Sequence, residues 1–184
     1  VDSCDNTLYL TFDDGPTPKV TDEVLRRLAR YNAKATFFCL AKNVESYTTL
    51  YNEILTQGHL IGNHTFDHVD GWKTANFTYY RSVLKAASVF NSKLFRPPYG
   101  RITPAQVGAL KQRFTIVMWD VLSADFDPET TPEQCLKNVI ENAVSGSIVV
   151  FHDSVKAHKK MLYALEGVLD HFSKKNFQFC SLPT

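Results

Sequence analysis

The sequence predicts an α/β fold, namely a distorted or incomplete (β/α) barrel of about seven parallel strands. Strand-like and helix-like segments alternate along the 184 residues, and repeated βα units build a parallel sheet with right-handed crossovers. Both the strand number and the length fall short of the usual eightfold barrel of about 250 residues, so we expect an open seam. An open, doubly wound sheet is the alternative. No linker or repeat indicates a second domain, and residues 1–184 are expected to form one.

Short apolar runs predict the strands. The first contains Leu8-Tyr9-Leu10, and Gly15-Pro16 forces a turn soon after it. The full set is Leu8–Phe12, Ala35–Leu40, His59–Gly62, Leu94–Arg96, Phe114–Val121, Ser147–Phe151 and Phe177–Ser181.

Helices are predicted between these strands, at Lys19–Tyr31, Ser46–Gln57, Asn76–Phe90, Thr103–Gln112, Pro132–Ala143 and His158–Ser173. The first of them carries its apolar stripe at Val20, Val24, Leu25 and Leu28. Gly58 stands in a C-cap position after the second helix. Thr131-Pro132 is a typical start for the fifth.

The composition excludes several classes of protein. Hydrophobic residues make up 44% of the chain and charged residues 21%, which excludes disordered and fibrous proteins. The net charge of +1 predicts no nucleic-acid partner, and the local basic cluster from Lys156 to Lys160 is expected to be a solvated face. No apolar run reaches the roughly 18 residues of a membrane helix. The chain begins at Val1 without a signal peptide, which suggests a trimmed N-terminus.

The four cysteines show no CxxC spacing, which disfavours a cysteine zinc site. Cys39 lies in an apolar run and is expected to be a small buried residue. Cys4 and Cys180 flank the first and last strands. A disulfide between them, if those strands meet, and two free thiols both stay open.

Adjacent carboxylates at the end of the first strand indicate a cation site. Asp13 and Asp14 lie where α/β proteins usually bind ligands, and they repel each other unless a cation lies between them. His64 and His68 follow the third strand four residues apart, a spacing that places both on one face of a helical turn with Asn63 as its N-cap. One aspartate with both histidines leaves coordination positions for water and substrate, as a catalytic metal site requires.

Polar segments follow three more strands, at 96–100, 119–126 and 149–153. Arg96 precedes a double proline, which holds its backbone extended and suits a fixed charge contact. His152 is a polar group at the rim of an apolar strand. Seen singly, a satisfied core-edge histidine and a surface salt bridge would explain these residues, but five such segments at strand ends indicate one site.

Together the five segments resemble the polysaccharide deacetylases with a NodB-homology domain, carbohydrate esterase family four. The matching blocks are TFDDGP at 11–16, HTFDH at 64–68, RPPYG at 96–100, WDVLSADF at 119–126 and VVFHD at 149–153. The resemblance runs from Leu8 to about Leu182. It implies a metal-dependent hydrolase that removes N-acetyl groups from an N-acetylglucosamine polymer, such as peptidoglycan or chitin, and releases acetate.

The resemblance also implies the metal site. Asp14, His64 and His68 correspond to the ligands of a divalent ion, normally zinc, with cobalt or nickel tolerated. Asp13 corresponds to the general base that takes a proton from metal-bound water. The backbone N–H of Tyr99 would stabilise the tetrahedral oxyanion together with the metal.

A second set of residues corresponds to the proton donor and its supports. His152 resembles the general acid that protonates the departing amine. Arg96 would hold Asp13, which should stay ionised. Asp125 would orient His152 and raise its pKa, so that the imidazole stays protonated near neutral pH.

Five residues are expected to contact substrate: Pro98, Tyr99, Phe126, Val150 and Trp72. Phe126 stands where the family commonly has tryptophan, and Val150 replaces a frequent leucine. Neither departure removes a catalytic group, so they bear on substrate preference. Trp72, in the loop after the histidines, is a candidate sugar platform.

Two further functions stay open. An O-acetyl esterase on xylan-like polymers would share the oxyanion step, whereas a silent carbohydrate-binding domain is disfavoured because every expected ligand, base and acid is present. Cell-wall and chitin polymers lie outside the cytoplasm, so we expect an extracytoplasmic location (secreted, periplasmic or cell-envelope). The chain is expected to be a monomer.

Overall fold

A computed structural model of the protein describes residues 6–183. Its strands are β1 (Thr7–Asp13), β2 (Ala35–Cys39), β3 (Leu60–Asn63), β4 (Leu94–Phe95), β5 (Thr115–Ile116), β6 (Val121–Leu122), β7 (Ile148–His152) and β8 (Gln178–Phe179). Its helices are α1 (Val20–Arg30), α2 (Ala41–Ser46), α3 (Thr48–Thr56), α4 (Asn76–Val89), α5 (Pro104–Leu110), α6 (Pro132–Ile140) and α7 (His158–Ser173).

The strands form one parallel sheet in the order β5-β4-β3-β2-β1-β7-β6, and β8 pairs with the start of β1. β5 and β6 lie at opposite edges of this sheet, yet only residues 117–120 join them. Because an extended chain spans at most about 3.6 Å per residue, the two edges lie within roughly 18 Å of each other. The sheet therefore curls into an incomplete barrel, which confirms the predicted fold class.

Both faces of β1 are covered, and all seven of its residues are buried. Side chains alternate across a strand, so Leu8, Leu10 and Phe12 join the large core that the sheet shares with α1 and α7. The other face carries Tyr9, Thr11 and Asp13. Tyr9 packs there in a second, smaller apolar cluster inside the curl. The inner face of β1 thus leads from apolar residues to a carboxylate at the carboxyl end of the strand.

The helical signals in the sequence hold with small shifts at the ends. The predicted stripe on α1 is buried. Gly58 follows α3 with φ at 79°, a conformation that favours glycine after a helix. Thr103 and Thr131 cap α5 and α6 by accepting from the backbone N–H of Gln106 and Gln134.

Two predicted elements are each divided. The predicted strand Phe114–Val121 is wrong because the chain leaves the sheet after β5, crosses the seam and enters β6 at the other edge, which makes eight short strands in the described part of the chain. The predicted helix Ser46–Gln57 is also wrong at its start. The chain forms α2, breaks at Tyr47, where φ is −129°, and continues as α3.

The cysteines of residues 6–183 belong to no cluster of possible metal ligands. Cys39 and Cys135 are buried free thiols. β1 and β8 do pair, with Leu8 opposite Phe179, but Cys4 lies outside the described residues. The two alternatives for Cys4 and Cys180, a disulfide or two free thiols, therefore both stay predictions.

Candidate active site

Three strands, β1, β3 and β7, bring their polar segments together at the carboxyl ends of the sheet. Asp13, the last residue of β1, is paired in register with His152 of β7 on one side and with Phe38 of β2 on the other. Asn63, the last residue of β3, lies opposite Cys39 of β2. The segments that follow β1 and β7 therefore leave the sheet side by side, and the segment after β3 leaves it two strands from β1, beyond β2.

The two aspartates occupy different positions. Asp13 is 3% exposed and continues the inner face of β1. Asp14 has φ at 84°, a left-handed conformation that is uncommon for residues other than glycine. The side-chain amide of Asn43, on α2, donates to the Asp14 carbonyl over 2.8 Å, which helps to hold this turn.

The histidines lie on a turn and not on a helix, which corrects the prediction. Thr65 and His68 have φ at 70° and 63°. Asn63 Oδ1 accepts from the Thr65 N–H over 2.8 Å, and Thr65 Oγ1 accepts from the His68 N–H over 2.9 Å. Asn63 thus caps a compact turn. The two imidazoles still converge, with ring centroids 5.2 Å apart.

Asp14, His64 and His68 form a cluster with the geometry of a metal site. Asp14 Oδ1 lies 3.2 Å from His68 Nε2 and 3.9 Å from His64 Nε2, and one ligand atom from each residue lies within 4.8 Å of the others. Asp14 Oδ1 is buried without a well-aligned hydrogen-bond donor in the described part of the chain. Two imidazole nitrogens and an orphaned carboxylate oxygen fit a divalent cation.

The protonation states suit this cluster. Burial alone would raise the pKa of Asp14, but its contact with His68 and the charges of the nearby histidines lower it to about 2. Burial lowers the pKa of His64, which favours the neutral imidazole that a metal ligand requires. His64 Nδ1 lies 2.8 Å from the Arg96 carbonyl. Because this contact places the proton on Nδ1, Nε2 is left free toward Asp14.

Arg96 occupies the interior of the curled sheet and is fully buried. Its Nη1 donates to Asp13 Oδ1 over 2.8 Å and to Thr11 Oγ1 over 2.7 Å. Its other nitrogens donate to the carbonyls of Val117 and Met118, over 3.4 and 3.0 Å. One guanidinium therefore links the end of β1 to the segment that crosses the seam.

The partly buried His152 and the fully buried Asp125 form a second ion pair. His152 Nδ1 lies 2.8 Å from Asp125 Oδ1, and the His152 backbone N–H donates to Asp125 Oδ2 over 2.8 Å. Burial lowers the pKa of His152, but the hydrogen bond and charge of Asp125 outweigh it and raise the value to about 9. The imidazole is therefore cationic at neutral pH.

Asp153, the next residue, explains why glycine follows the two aspartates. Its carboxylate accepts from the Gly15 N–H over 3.0 Å and from Thr21 Oγ1 over 2.5 Å. A Cβ on Gly15 would lie 2.0 Å from Asp153 Oδ2. Burial raises the pKa of Asp153 to about 8. Through these hydrogen bonds the Asp153 carboxyl group connects the loop after β1 to the loop after β7.

These groups surround one cavity of about 340 Å³. Its lining includes Asp13, Asp14, His68, Tyr99, Gly100, Trp119, Leu122, Phe126, Val150, His152, Ser154 and Lys156. Three of the expected substrate-binding residues, Tyr99, Phe126 and Val150, are among them. Pro98 is buried without lining the cavity, and Trp72 lies outside it with 66% of its surface exposed. Trp72 is nevertheless connected to the rim, since the Arg101 guanidinium lies 5.3 Å from the Trp72 ring and 5.5 Å from the Tyr99 ring.

Five lining residues were not predicted as site residues from the sequence: Gly100, Trp119, Leu122, Ser154 and Lys156. Trp119 lies in the irregular segment between β5 and β6, where no periodicity indicates its direction. Gly100 has φ at 66°, and a Cβ there would lie 2.6 Å from the Trp119 ring. The glycine of the segment 96–100 was therefore the available signal that a large side chain packs against it.

Comparison with known proteins gives consistent results. Residues 1–114 match the family model described as polysaccharide deacetylase. A peptidoglycan-N-acetylglucosamine deacetylase of Bacillus cereus is 33% identical over 183 residues, which cover 95% of this chain and 66% of that protein. The deacetylase PgdA of Listeria monocytogenes is 34% identical over 181 residues, and this chain spans only 38% of its length.

Two solved structures extend the comparison. The Bc1960 peptidoglycan N-acetylglucosamine deacetylase superimposes with a TM-score of 0.91 at 32% identity, over 97% of this chain and 87% of that one. A family 4 acetyl xylan esterase from Clostridium thermocellum, solved with a cobalt ion, superimposes with a TM-score of 0.86 at 27% identity, over 95% and 87% of the two chains.

Proposed function

Because this chain belongs to the polysaccharide deacetylase family, we propose that it is a metal-dependent hydrolase that removes N-acetyl groups from an N-acetylglucosamine-containing polysaccharide and releases acetate. Peptidoglycan and chitin are the candidate substrate polymers. The observation that carries the proposal is the Asp14–His64–His68 cluster, which lies beside Asp13 and His152 at a single cavity.

Asp14, His64 and His68 would hold a divalent ion, for which zinc is the first candidate and cobalt or nickel the alternatives. When bound, the ion supplies Lewis acidity and lowers the pKa of water. The cobalt ion in the Clostridium thermocellum esterase supports the inclusion of cobalt.

Asp13 is the proposed general base. Arg96 binds Oδ1, while Oδ2 lies 3.9 Å from His64 Nε2. One carboxylate oxygen is thus anchored and the other faces the ligand cluster, where it can accept a proton from the attacking water. Because Arg96 holds Oδ1, the orientation of Oδ2 toward the Asp14–His64–His68 cluster is fixed.

The remaining groups act on the substrate. The Tyr99 backbone N–H donates to the oxyanion that forms on the acetyl carbon, and His152 donates its proton to the departing amine nitrogen. Asp125 holds that imidazole in its cationic form. Val150 and Leu122 offer an apolar contact for the acetyl methyl group, and Phe126 offers a wall for the sugar.

Trp72 keeps its proposed role as a sugar platform, although it lies outside the cavity. Tyr99, Arg101 and Trp72 form a row that leads away from the ligand cluster. Exposed aromatic rings offer flat apolar surfaces. The row is therefore suited to contact the next sugars of a polymer.

An O-acetyl xylan esterase is the second candidate function, which the similarity to the Clostridium thermocellum esterase favours. An amine needs a proton before it can depart, so the cationic His152 favours N-acetyl substrates. We propose an extracytoplasmic location, because the candidate polymers lie outside the cytoplasm, and a monomeric state. In the described residues no helix has both the length and the apolar character needed to cross a bilayer.

Acetate release separates these functions. Purified protein, stripped with a chelator and reloaded with zinc, is incubated with N-acetylglucosamine oligomers, peptidoglycan glycan strands or acetylated xylan. We expect zinc-dependent acetate release from the first two. Release from xylan alone would favour the esterase, and no acetate from any substrate with loaded protein would exclude both enzymes in favour of a silent binding domain.

A further inference from the structure

One basic residue of the cavity wall takes no part in the proposed hydrolysis. Lys156 lines the same cavity as Asp13, Asp14 and His152. It lies in the turn between β7 and α7 and is exposed. The sequence predicted only a solvated basic face for the segment that begins here, so its position at the cavity is a finding of the structure.

The ammonium group of Lys156 has no counter-ion within the residues 6–183. Other cations nearby are engaged: Arg96 and Arg101 each pair with a carboxylate, and Lys160 donates to a backbone carbonyl. Lys159 lines a different groove, on the outer surface of α7. Lys156 is therefore the one unpaired lysine or arginine among the described residues that line the cavity.

The acidic groups of the cavity do not neutralise the charge of Lys156. Asp13 is bound to Arg96, and Asp14 faces the two histidines. His152 on the same wall is already engaged by Asp125, whose Oδ1 lies 2.8 Å from His152 Nδ1. The Lys156 ammonium thus brings to the cavity a positive charge that no side chain of the described residues balances, which favours an anion on the ligand.

We propose that Lys156 recognises a carboxylate on the sugar next to the one that is deacetylated. The inference rests on the proposed function and selects, within its substrates, a glycan with acidic substituents over a neutral one. A lactyl ether, as on muramic acid residues, places such a carboxylate on alternate sugars of a strand. The flexible four-carbon stem of lysine lets the ammonium group follow this substituent.

The expected effect is moderate. An exposed ion pair contributes little, equivalent to roughly a two- to fivefold change in binding, because water and salt screen it. Lys156 is therefore expected to set preference between substrates and not to determine whether hydrolysis occurs.

The test compares two versions of one substrate. A tetrasaccharide of alternating N-acetylglucosamine and N-acetylmuramic acid is used with free lactyl carboxylates and as its methyl ester. We expect wild type to prefer the free acid, and Lys156→Gln to lower the ratio of the two kcat/KM values about two- to fivefold. Lys156→Arg should retain the preference, and added salt should reduce it in wild type. Lys159→Gln is the matched control and should leave the ratio unchanged.

One result would overturn the inference: an unchanged ratio in Lys156→Gln, whether kcat/KM stays the same on both substrates or falls equally on both. Equilibrium binding of the same two tetrasaccharides is measured in parallel with wild type and Lys156→Gln. If no acetate is released but binding of the free acid still depends on Lys156, the proposed function fails and the recognition stands. If acetate is released but neither the kcat/KM ratio nor binding depends on Lys156, the proposed function stands and the proposed recognition by Lys156 fails.

Discussion

At the scale of single residues, Asp13 and Asp14 are neighbours with different surroundings. Asp13 is bound through one oxygen to a buried guanidinium. Asp14 has an orphaned oxygen between two imidazoles. Two like charges can lie side by side because each has its own cationic or polar partner, and the division suggests one base and one ligand.

The first prediction concerns the base. Asp13→Asn keeps the size of the side chain and an oxygen for Arg96 but cannot take up a proton. We expect kcat to fall by about 10²- to 10⁴-fold, with zinc content unchanged when measured by elemental analysis. Asp170→Asn, on the exposed face of α7, is the control and should match wild type. Full activity in Asp13→Asn would disprove the assignment.

The second prediction concerns pH. The pKa of His152 is raised to about 9, so the proton that this proposed acid would donate is lost as pH rises through that value. A bound cation would repel the imidazolium and move this loss to lower pH. Activity should therefore fall on the alkaline side. Asp125→Asn should move the falling limb of the kcat/KM profile toward the ordinary histidine value near 6.5. A limb that stays in place in this variant would contradict the role of Asp125.

The same pair affects stability with a defined sign. A pKa raised on folding stabilises the protein below the unfolded value near 6.5, and the contribution is lost as pH rises through about 9. Unfolding by denaturant at several pH values checks this, since the difference between wild type and Asp125→Asn should shrink across that window.

Sequence reasoning predicted that Asp14, His64 and His68 lie together because they stand in short blocks at strand ends, and the carboxyl ends of parallel strands lie on one side of the sheet. It failed on the local conformation of 64–68, since the side chains of Asn63 and Thr65 stabilise a turn that histidine spacing alone does not distinguish from a helix. It missed Lys156 because a run of lysines in sequence gives no indication that the first of them lies at a cavity.

At the scale of elements, α2 and α4 hold the histidine turn. The first backbone N–H groups of α2, at Ala41 and Lys42, donate to the carbonyls of Thr65 and Phe66, each over 3.1 Å. From α4, Ser82 Oγ donates to Asp67 Oδ1 over 2.7 Å and accepts from the Phe66 N–H over 3.1 Å. Hydrogen bonds from both α2 and α4 thus hold the histidine turn in place.

The third prediction tests the two hydrogen bonds made by Ser82. Ser82→Ala removes both hydrogen bonds and should destabilise the protein by about 1–3 kcal/mol. Because the turn carries two of the proposed ligands, zinc affinity should also fall, by roughly 10- to 100-fold. Ser88→Ala, exposed on the same helix, is the matched control, and competitive chelator titration is the measurement. Equal zinc affinity in the two variants would show that α4 does not position the ligands.

α2 also shows why some elements escape prediction. It has no side-chain N-cap, and its first donors are satisfied by residues more than twenty positions later in the chain. Local sequence carries no signal for such a helix. By contrast α5 and α6 have their own threonine caps and prolines, and their starts were predicted.

At the scale of the whole molecule, Arg96 joins the two halves of the curl. It contacts β1 through Thr11 and Asp13 and the seam through two carbonyls, and its guanidinium lies 4.1 Å from the Phe38 ring. A buried charge of this kind is stable only while its partner and hydrogen bonds remain.

The fourth prediction follows from this. Arg96→Met leaves Asp13 as an unpaired buried carboxylate and should cost about 3–5 kcal/mol, which lowers Tm by roughly 6–20 °C for a chain of this size. Adding Asp13→Asn should restore part of the loss, because it removes the unpaired charge. Arg101→Met, whose partner Asp70 lies nearer the surface, is the control. Equal Tm losses at both arginines would contradict the argument.

The overall architecture was predictable because alternating βα units, strand number and chain length constrain it. The position of the seam was not. The apolar run at 114–121 favours one strand, and only the curl of the whole sheet explains why the chain must leave one edge after Ile116 and enter the other at Val121.

The seam has a consequence for self-association. Unpaired strand edges are templates on which a second chain can add a strand and begin to aggregate. Here the edge strands β5 and β6 are two residues long, and the backbone between them leaves the plane of the sheet. Two carbonyls of that linking segment already accept from Arg96. The half-open barrel therefore offers an incoming strand almost no continuous edge to pair with, although its wall never closes.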